Sequence, residues 1–425
     1  MRTTVLVGVV GKALEGVTLV LLITLVPRLL GPAGYGSFAV ALSIVTLGSA
    51  AAALGGPTWM SRFVPTVAAA DRPALARALA FRSARWRLGV CTLAALVATA
   101  LSLADPDRFG VLTCLFVVLA LVLDVAATLV YQVSLALGGV ALWSLRYPIQ
   151  NGVLVIGVPA LYAGFGSDGA LAGIALSSGC VLALGLLAVV SPLRGTARTS
   201  PLPPGAAWFA LIYGASGLFV QVLHRGGVVA VAVLAGSQVE AGFAAVSIGV
   251  ALALTYVVWQ AFTVDLPRLS ASGEAGERAD ASIRRLAWLA LALVVPVATA
   301  AAIALDRLVP ALAGERYRGV GASLGPALAV VPLAPLTSAA TQVSALRLRP
   351  LPRLLATAVG ALVFLAAAVA LVPGHAAAGA ATALLLGTCA LAAVGAAAFR
   401  DLLDRRFVAA SFAAAGLVLG VSAWT

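Results

Sequence analysis

The sequence predicts an all-α polytopic membrane protein of two parallel six-helix bundles, a 6+6 pseudo-repeat, with one extra C-terminal hydrophobic segment. Three observations predict it: the composition, a series of apolar runs of membrane-spanning length, and an internal repeat. Of the 425 residues, 62% are hydrophobic and only 10% are charged. So few charges cannot cover the surface of a soluble protein of this size, and the chain is therefore expected to lie in a membrane.

Thirteen apolar runs are long enough to cross about 30 Å of hydrocarbon as helices. Short polar segments separate them and leave nothing over for a soluble domain. The first run is interpreted as a span rather than a secretory signal, because it is too long and contains Lys12 and Glu15. The predicted spans are 4–27, 35–60, 88–104, 110–137, 147–166, 169–190, 207–235, 241–264, 287–304, 319–341, 354–372, 376–399 and 407–424.

An internal repeat divides the chain into two halves. The stretch LLGPAGYGSFAVALSI (29–44) lies over LAGSQVEAGFAAVSIG (234–249) at an offset of 205 residues, so that Gly31 meets Gly236. In both halves a span and then an arginine-bearing loop follow. The predicted domains are an N-terminal six-helix lobe (1–190), a cytoplasmic linker rich in Pro, Gly and Ser (191–206), a C-terminal six-helix lobe (207–399) and an additional hydrophobic segment (400–425).

Basic residues are distributed unequally between alternate loops. One set of loops holds 20 of them, including Arg146 and six arginines in 61–87, whereas the other set holds five. Because cytoplasmic loops carry the excess, this predicts a multi-pass protein of the cytoplasmic membrane with a cytoplasmic N-terminus. Only Lys12 and Arg225 are then left as basic residues inside the membrane core. The net charge of +12 arises from loops beside anionic lipid, and nucleic-acid binding is not expected.

No metal site, cofactor or catalytic residue is predicted. The four cysteines all lie within predicted spans without metal-type spacing, and the two histidines are too few for a metal site without carboxylate partners. The sequence has neither a Gly-rich phosphate loop of the GxxxxGK[ST] type nor an HExxH motif. ATP-driven transport within this chain and zinc hydrolysis are therefore disfavoured.

Charged residues at mid-membrane depth are the candidates for a functional site, because a charge there normally faces a watery cavity or a partner. Lys12 and Glu15 are three residues apart on one face of the first span, where they can neutralise each other. The corresponding span of the second half carries Gln221, His224 and Arg225 near its midpoint. Polar lead spans in two parallel halves are typical of a transporter that rocks one half against the other around a substrate site.

Each of these charges also has a purely structural interpretation. Lys12 can extend its stem toward the cytoplasmic headgroups, or it can form only a local ion pair with Glu15. Arg225 can pair with Asp124 or Glu15 as interhelical glue. Asp124, at the centre of the fourth span, serves equally well as such a counter-ion or as a proton carrier.

Residues 29–65 carry a motif that allows a family comparison. PRLLGPAGYG is followed by a span that ends in a small-residue turn and an exit containing Arg62 and Pro65. This pattern resembles the bacterial polysaccharide flippases, which handle O-antigen and other lipid-linked oligosaccharides, of the multidrug/oligosaccharidyl-lipid/polysaccharide exporter superfamily. The motif covers under a tenth of the chain, and the two six-span halves extend the likeness to nearly the whole length.

The resemblance implies a flippase that moves an undecaprenyl-pyrophosphate-linked oligosaccharide to the outer leaflet by alternating access. A dianionic pyrophosphate needs cations along its path, and an arginine can bind it bidentately. Proton or sodium coupling is implied, as are polysaccharide polymerase or glycosyltransferase partners. The predicted substrate-binding residues are Lys12, Arg225 and Gln221, and the predicted ion-coupling residues are Glu15, Asp124 and His224.

Two other functions fit the same setting. A multidrug or small-cation antiporter of the same superfamily shares the topology, but its cationic cargo favours a carboxylate-rich pocket. A membrane glycosyltransferase or polysaccharide ligase also handles lipid-linked sugars, but it needs catalytic groups, and the longest external loop (305–319) offers only an aspartate, a glutamate and three arginines. The chain is therefore expected not to be an enzyme.

The thirteenth run departs from the family pattern, in which twelve or fourteen spans leave the C-terminus in the cytoplasm. Two arrangements stay open for it. The run crosses the membrane and ends outside, or it lies along the surface.

Overall fold

The computed structural model describes residues 2–106, 109–189, 204–271 and 277–423, and these residues form helices and turns with no strand among them. Ten helical stretches of this part of the chain are long and apolar enough to cross a membrane. Three of the ten contain a residue with non-helical backbone, at Gly31, Gly166 and Ala376, so each is two helices. The thirteen resulting segments match the thirteen predicted spans. The chain is an all-helical, multi-pass membrane protein.

We number these helices α1 to α13. They are α1 (2–30) and α2 (32–53) from Arg2–Ala53, α3 Arg72–Ala104, α4 Val111–Ala136, α5 (140–165) and α6 (167–189) from Val140–Val189, α7 Ala206–Ala235, α8 Gln238–Ala271, α9 Glu277–Ala313, α10 Glu315–Leu346, α11 (350–375) and α12 (377–398) from Pro350–Ala398, and α13 Arg405–Ser422. A π-helical turn, Val231–Ala235, ends α7, and a 3₁₀ turn, Glu315–Val320, begins α10.

Several helices extend well beyond the apolar run that predicts them. The third predicted span begins at residue 88, whereas α3 begins at Arg72. The ninth is predicted as 287–304, whereas α9 is Glu277–Ala313. Hydropathy marks only the apolar part of a helix, and the added turns carry arginines that hydropathy assigns to loops.

Left-handed backbone occurs at corresponding places in the two halves, which confirms the pseudo-repeat. Gly31 and Gly236, aligned by sequence, have φ values of +71° and +66°. Glycine suits both turns because it adopts positive φ without steric cost. Two further pairs, each separated by 210 residues, are Gly138 (+91°) with Leu348 (+53°) before α5 and α11, and Gly166 (+60°) with Ala376 (+41°) at the kinks that follow those helices.

The chain forms two compact units that do not follow the sequence halves at every residue. The first unit is Met1–Leu30 with Ala41–Leu218, and the second is Gly31–Val40 with Phe219–Thr425. The predicted linker, 191–206, lies outside the described residues except for its last three positions. The predicted lobe boundaries therefore stay a prediction.

The beginning of α2 belongs to the second unit because glycines bring its backbone against α8. A Cβ added to Gly36 would lie 1.8 Å from the carbonyl oxygen of Gln238. A Cβ added to Gly242 would lie 2.2 Å from the carbonyl oxygen of Pro32. No residue larger than glycine fits at either position without a shift of the helices.

The beginning of α7 belongs to the first unit through a similar contact. A Cβ added to Gly214 would lie 2.2 Å from the backbone nitrogen of Gly55, just after α2. One turn earlier, Phe209 stacks on Tyr213 with ring centroids 5.7 Å apart and meets Phe63 edge-on at 6.2 Å. A group of three aromatic rings therefore packs beside the close contact between Gly214 and Gly55.

Arg347, between α10 and α11, joins three segments of the second unit. Its Nη2 lies 2.7 Å from Oδ2 of Asp280 at the start of α9, and its Nη1 lies 2.5 Å from Oδ2 of Asp401, between α12 and α13. The hydrogen bond from Arg347 holds the pKa of the Asp401 carboxyl below its usual value. One guanidinium therefore fixes the ends of several helices on this side of the unit.

Candidate functional site

Helices α1 and α5 approach closely through small residues. A Cβ added to Gly11 would lie 2.8 Å from Cβ of Ser144. This contact seats the next residue, Lys12, over aromatic rings of α5. The Nζ atom of Lys12 lies 4.8 Å from the ring centroid of Trp143 and 5.9 Å from that of Tyr147. Both distances are within the range of cation–π attraction.

Lys12 also forms the ion pair with Glu15 that the spacing predicts. Its Nζ lies 2.8 Å from Oε2 of Glu15, and the two side chains are 22% and 9% exposed. One turn on, Thr18 donates a hydrogen bond to the backbone carbonyl of Glu15 at 3.0 Å and lies 3.4 Å from Nδ2 of Asn151 on α5. Lys12 is thus held by a carboxylate on its own helix and by rings on a neighbouring one.

Asp124, on α4, is bound to α5. Nη2 of Arg146 lies 3.1 Å from its Oδ1, and Nε2 of Gln150 donates to the same oxygen at 3.1 Å. Arg146 also donates to Oγ1 of Thr128 at 2.7 Å. A buried pair is retained only when such additional hydrogen bonds satisfy it. Of the two interpretations open for Asp124, this geometry favours the counter-ion.

Arg146 and Arg87 correct the sequence prediction. Both are expected in cytoplasmic loops, but they are 6% and 2% exposed inside the first unit. The expectation that they lie in loops is therefore wrong, because Arg87 lies within α3 and Arg146 within α5. The physical reason is that each arginine has buried hydrogen-bond partners that hydropathy does not reveal, and Arg146 also has the carboxylate of Asp124. For Arg87 these are Oγ of Ser83 at 3.0 Å, the carbonyl of Val125 at 2.9 Å and Oε1 of Gln132 at 2.9 Å.

Arg146 does have a sequence signal, which the apolar runs do not reveal. Trp143, Arg146, Tyr147 and Gln150 follow the i, i+3, i+4, i+7 spacing of a single helical face. A stripe of two aromatic and two polar residues at the start of an otherwise apolar helix indicates a polar environment inside the bundle. No equivalent pattern marks Arg87.

Tyr147 contacts both ion pairs. Its ring centroid lies 5.9 Å from Nζ of Lys12 and 4.9 Å from Cζ of Arg146. Tyr147 is 40% exposed, whereas Glu15, Asp124 and Arg146 are buried. We call Lys12, Glu15, Asp124, Arg146 and Tyr147 the five-residue cluster. It combines two cations, two carboxylates and one phenol within the first unit.

The other predicted site residues lie in the second unit. Gln221, His224 and Arg225 are half-buried on α7. Arg225 interacts electrostatically with His224 and with Tyr35 at the beginning of α2. Tyr35 in turn interacts with Tyr317 of α10. Arg225 thus has phenol and imidazole neighbours, and Asp124 has Arg146 as its counter-ion.

The described residues offer little metal-binding chemistry. Among them, no group of three or more His, Cys, Asp or Glu side chains is arranged to hold a metal ion. All four cysteines are free thiols. The charged side chains of the cluster and of α7 offer electrostatic binding as the candidate chemistry.

No protein-family model and no curated protein sequence matches the chain. Solved structures match its fold. The lipid II flippase MurJ, in an inward closed conformation, is 10% identical with a TM-score of 0.66, covering 99% of this chain and 92% of that chain. A multidrug resistance MATE family transporter of the MOP superfamily, in an inward-facing conformation, is 15% identical with a TM-score of 0.60 and 95% coverage of both chains. A variant of the Vibrio cholerae MATE transporter VcmN is 14% identical with a TM-score of 0.53, covering 96% of this chain and 100% of that chain.

At these identities the likeness concerns the fold alone. It extends over nearly the full length of all three structures. The chain therefore has the fold of two helical bundles seen in this flippase and in MATE transporters.

Proposed function

We propose that this chain is a flippase of the cytoplasmic membrane that moves an undecaprenyl-pyrophosphate-linked oligosaccharide, a polysaccharide precursor, by alternating access. The fold is compatible with this cargo and with a drug cargo, because one matching structure is a lipid II flippase and others are multidrug transporters. The choice between the two cargoes rests on the sign of the charged side chains that are buried or half-buried among the helices.

The observation that carries the proposal is a surplus of positive charge among the buried and half-buried charges on α1, α3, α4, α5 and α7. A pyrophosphate is attracted by such a surplus, and charge-assisted hydrogen bonds to its oxygens are about twice as strong as neutral ones. A cationic drug would instead favour a surplus of carboxylates. The interior charges located above are the bases Lys12, Arg87, Arg146 and Arg225 and the acids Glu15 and Asp124.

The proposal gives the predicted residues separate roles. Lys12 and Arg225 contact the pyrophosphate, and Gln221 donates a hydrogen bond to the same group. Glu15 and His224 take part in coupling to a proton or sodium ion. Asp124 has a structural role in this proposal instead of the predicted role in ion coupling, because its carboxylate already pairs with Arg146.

Such a cargo implies partner enzymes on both sides of the membrane. Glycosyltransferases must assemble the lipid-linked sugar before it is moved, and a polysaccharide polymerase or ligase must consume it afterwards. The chain itself is proposed to be a transporter and not an enzyme.

A multidrug or small-cation antiporter is the second candidate. It is favoured by the likeness to MATE transporters, which share the fold over nearly the whole chain. Its cargo is a cation, so an assay with two cargoes of opposite charge distinguishes the two functions.

The test is translocation in proteoliposomes of a fluorescent undecaprenyl-pyrophosphate oligosaccharide, with a cationic dye driven by a proton gradient as the second cargo. We expect the wild type to flip the lipid. We expect Lys12→Ala and Arg225→Ala to slow flipping by about tenfold or more, since a hydrogen bond to a charged group contributes about 1.5–3 kcal/mol. Arg318→Ala is the matched control, because that arginine pairs with Glu315 on the exposed surface.

Each outcome decides between the candidates. Transport of the dye without flipping of the lipid would assign the chain to drug export. Flipping at the wild-type rate by both alanine variants would remove Lys12 and Arg225 from the substrate path.

A further inference from the structure

We propose that the carboxylate of Glu15 pairs reversibly with the ammonium of Lys12, and that a phosphate group of the cargo displaces this carboxylate. This inference rests on the proposed function, because that function supplies an anionic cargo. In the transporter without cargo, the Glu15 carboxylate is the anion that competes with the cargo for Lys12. Glu15 then sets the affinity for phosphate and pyrophosphate groups.

The Lys12–Glu15 pair has the properties of a contact that can be exchanged. Both residues lie on α1, three positions apart, with Nζ and Oε2 separated by 2.8 Å. On an isolated helix, pairs three or four residues apart contribute only about 0.2–0.5 kcal/mol, and the order with the acid N-terminal to the base is the more favourable one. Here the lysine comes first. A doubly charged phosphate is therefore a strong competitor for the ammonium.

The ammonium keeps its position when the carboxylate leaves. Trp143 and Tyr147 hold it at 4.8 and 5.9 Å from their ring centroids, independently of Glu15. The contact between Gly11 and Ser144 fixes α1 against α5 at this level. A cation held in its binding geometry loses little freedom when an anion arrives, which favours binding.

The surface beside the pair has room for an anion. A Cβ added to Gly16, next to Glu15, would meet no heavy atom within 4 Å. The Lys12 side chain is partly exposed, and so is Tyr147. The ring of Tyr147, 5.9 Å from the ammonium, is thus partly exposed beside it.

The other ion pair of the five-residue cluster, between Arg146 and Asp124, is fixed. Oδ1 of Asp124 accepts from both Arg146 and Gln150, and the guanidinium also donates to Thr128. Its ring contact with Tyr147, at 4.9 Å, keeps Arg146 close to the Lys12 site. One pair therefore exchanges while the other holds the helices together.

The experiment measures the binding of inorganic pyrophosphate by calorimetry to the full chain in lipid nanodiscs. We expect Glu15→Gln to bind about tenfold more tightly than the wild type, a change of 1.4 kcal/mol. We expect Lys12→Met, and the double variant Lys12→Met/Glu15→Gln, not to bind. Glu315→Gln is the matched control, because Glu315 and Arg318 form an i,i+3 pair away from the cluster, and its affinity should equal that of the wild type.

Three results would overturn the inference: unchanged affinity in Glu15→Gln, a gain that persists without Lys12, or no pyrophosphate binding by any variant. Elution of each variant as the wild type does on size exclusion excludes misfolding, and Glu15→Ala repeats the test with another side chain. Parallel flipping assays separate this inference from the proposed function. If the wild type flips the lipid and Glu15→Gln does not change the affinity for pyrophosphate, the proposed function is supported and the exchange of Glu15 is contradicted. If Glu15→Gln binds pyrophosphate more tightly but the wild type does not flip the lipid, the exchange of Glu15 is supported and the proposed function is contradicted.

Discussion

At the scale of single residues, Arg146 and Asp124 form a buried ion pair inside the first unit. Their side chains are 7% and 12% exposed, and they join α4 to α5. Removing one member of such a pair leaves an uncompensated buried charge, whereas replacing both by apolar residues of similar volume is often neutral. The pair therefore acts as one structural element, and single substitutions are informative about it.

We predict that Asp124→Leu or Arg146→Met alone lowers the stability of the protein by about 3–5 kcal/mol. The double variant Asp124→Leu/Arg146→Met should recover most of the loss, because no charge is then left unpaired. The measurement is thermal unfolding in detergent, followed by size-exclusion chromatography. If both single variants unfolded at the wild-type temperature, the pair would not be structural, and Asp124 would return as a candidate for ion coupling.

The site shows what the sequence can and cannot specify at this scale. The Lys12–Glu15 pair follows from helical spacing alone, because both residues lie on one helix. The partners of Asp124, and two of the three partners of Arg87, come from other helices, and their pairing depends on packing that no local pattern encodes. Arg146 is an intermediate case. The sequence shows that it belongs to a helical stripe of aromatic and polar residues, but it does not show that Asp124 is its counter-ion.

At the scale of helices, close backbone contacts at glycine fix how α2 meets α8. The structure leaves no space for a methyl group at Gly36 or Gly242, where the obstructing atoms are backbone carbonyls that cannot rotate away. Gly89, in the middle of α3, differs because a Cβ there would meet nothing within 4 Å. The three glycines thus form a natural set of test and control positions.

We predict that Gly36→Ala and Gly242→Ala each destabilise the second unit by about 1–3 kcal/mol, the usual cost of forcing extra methyl groups into a packed contact. Gly89→Ala should be neutral or stabilising by up to about 1 kcal/mol, because alanine is the better helix former. Thermal unfolding of the three purified variants checks both statements. Equal unfolding temperatures for Gly36→Ala and Gly89→Ala would mean that α2 and α8 do not meet at this distance.

At the scale of the whole molecule, hydropathy and a weak repeat predict the fold because the membrane imposes both. Each span must be apolar over its whole crossing, so the number of helices can be read from the sequence. The turn at Gly31 and its counterpart at Gly236 can also be read, because glycine marks positive φ. The turns at Leu348 and Ala376 have no such mark. Their backbone is set by the tertiary structure, and only their equivalents in the first half, Gly138 and Gly166, show it in sequence.

The position of α13 bears on the topology of the whole chain. Near its start, Phe407 meets Trp288 of α9 edge-on, with ring centroids 5.1 Å apart. Near its end, Ser422 lies so close to Gly325 of α10 that an added Cβ would come within 2.1 Å of its Oγ. Contacts with neighbouring spans at both ends favour a helix that crosses the membrane over one that lies along its surface. Its 18 residues have a length of about 27 Å, close to the hydrocarbon thickness.

We therefore predict that the two ends of the chain lie on opposite sides of the membrane. Without Arg87 and Arg146, the segments predicted as cytoplasmic loops still contain eighteen basic residues against five in the other set, so the N-terminal side is expected to be cytoplasmic. Alkaline phosphatase fused after residue 423 should be active, and phosphatase fused after residue 403, before α13, should be inactive. Green fluorescent protein at the same two positions should give the reverse pattern and serves as the control for expression. Inactive phosphatase with fluorescent reporter at both positions would mean that α13 does not cross, and activity at residue 403 alone would mean that the orientation is inverted.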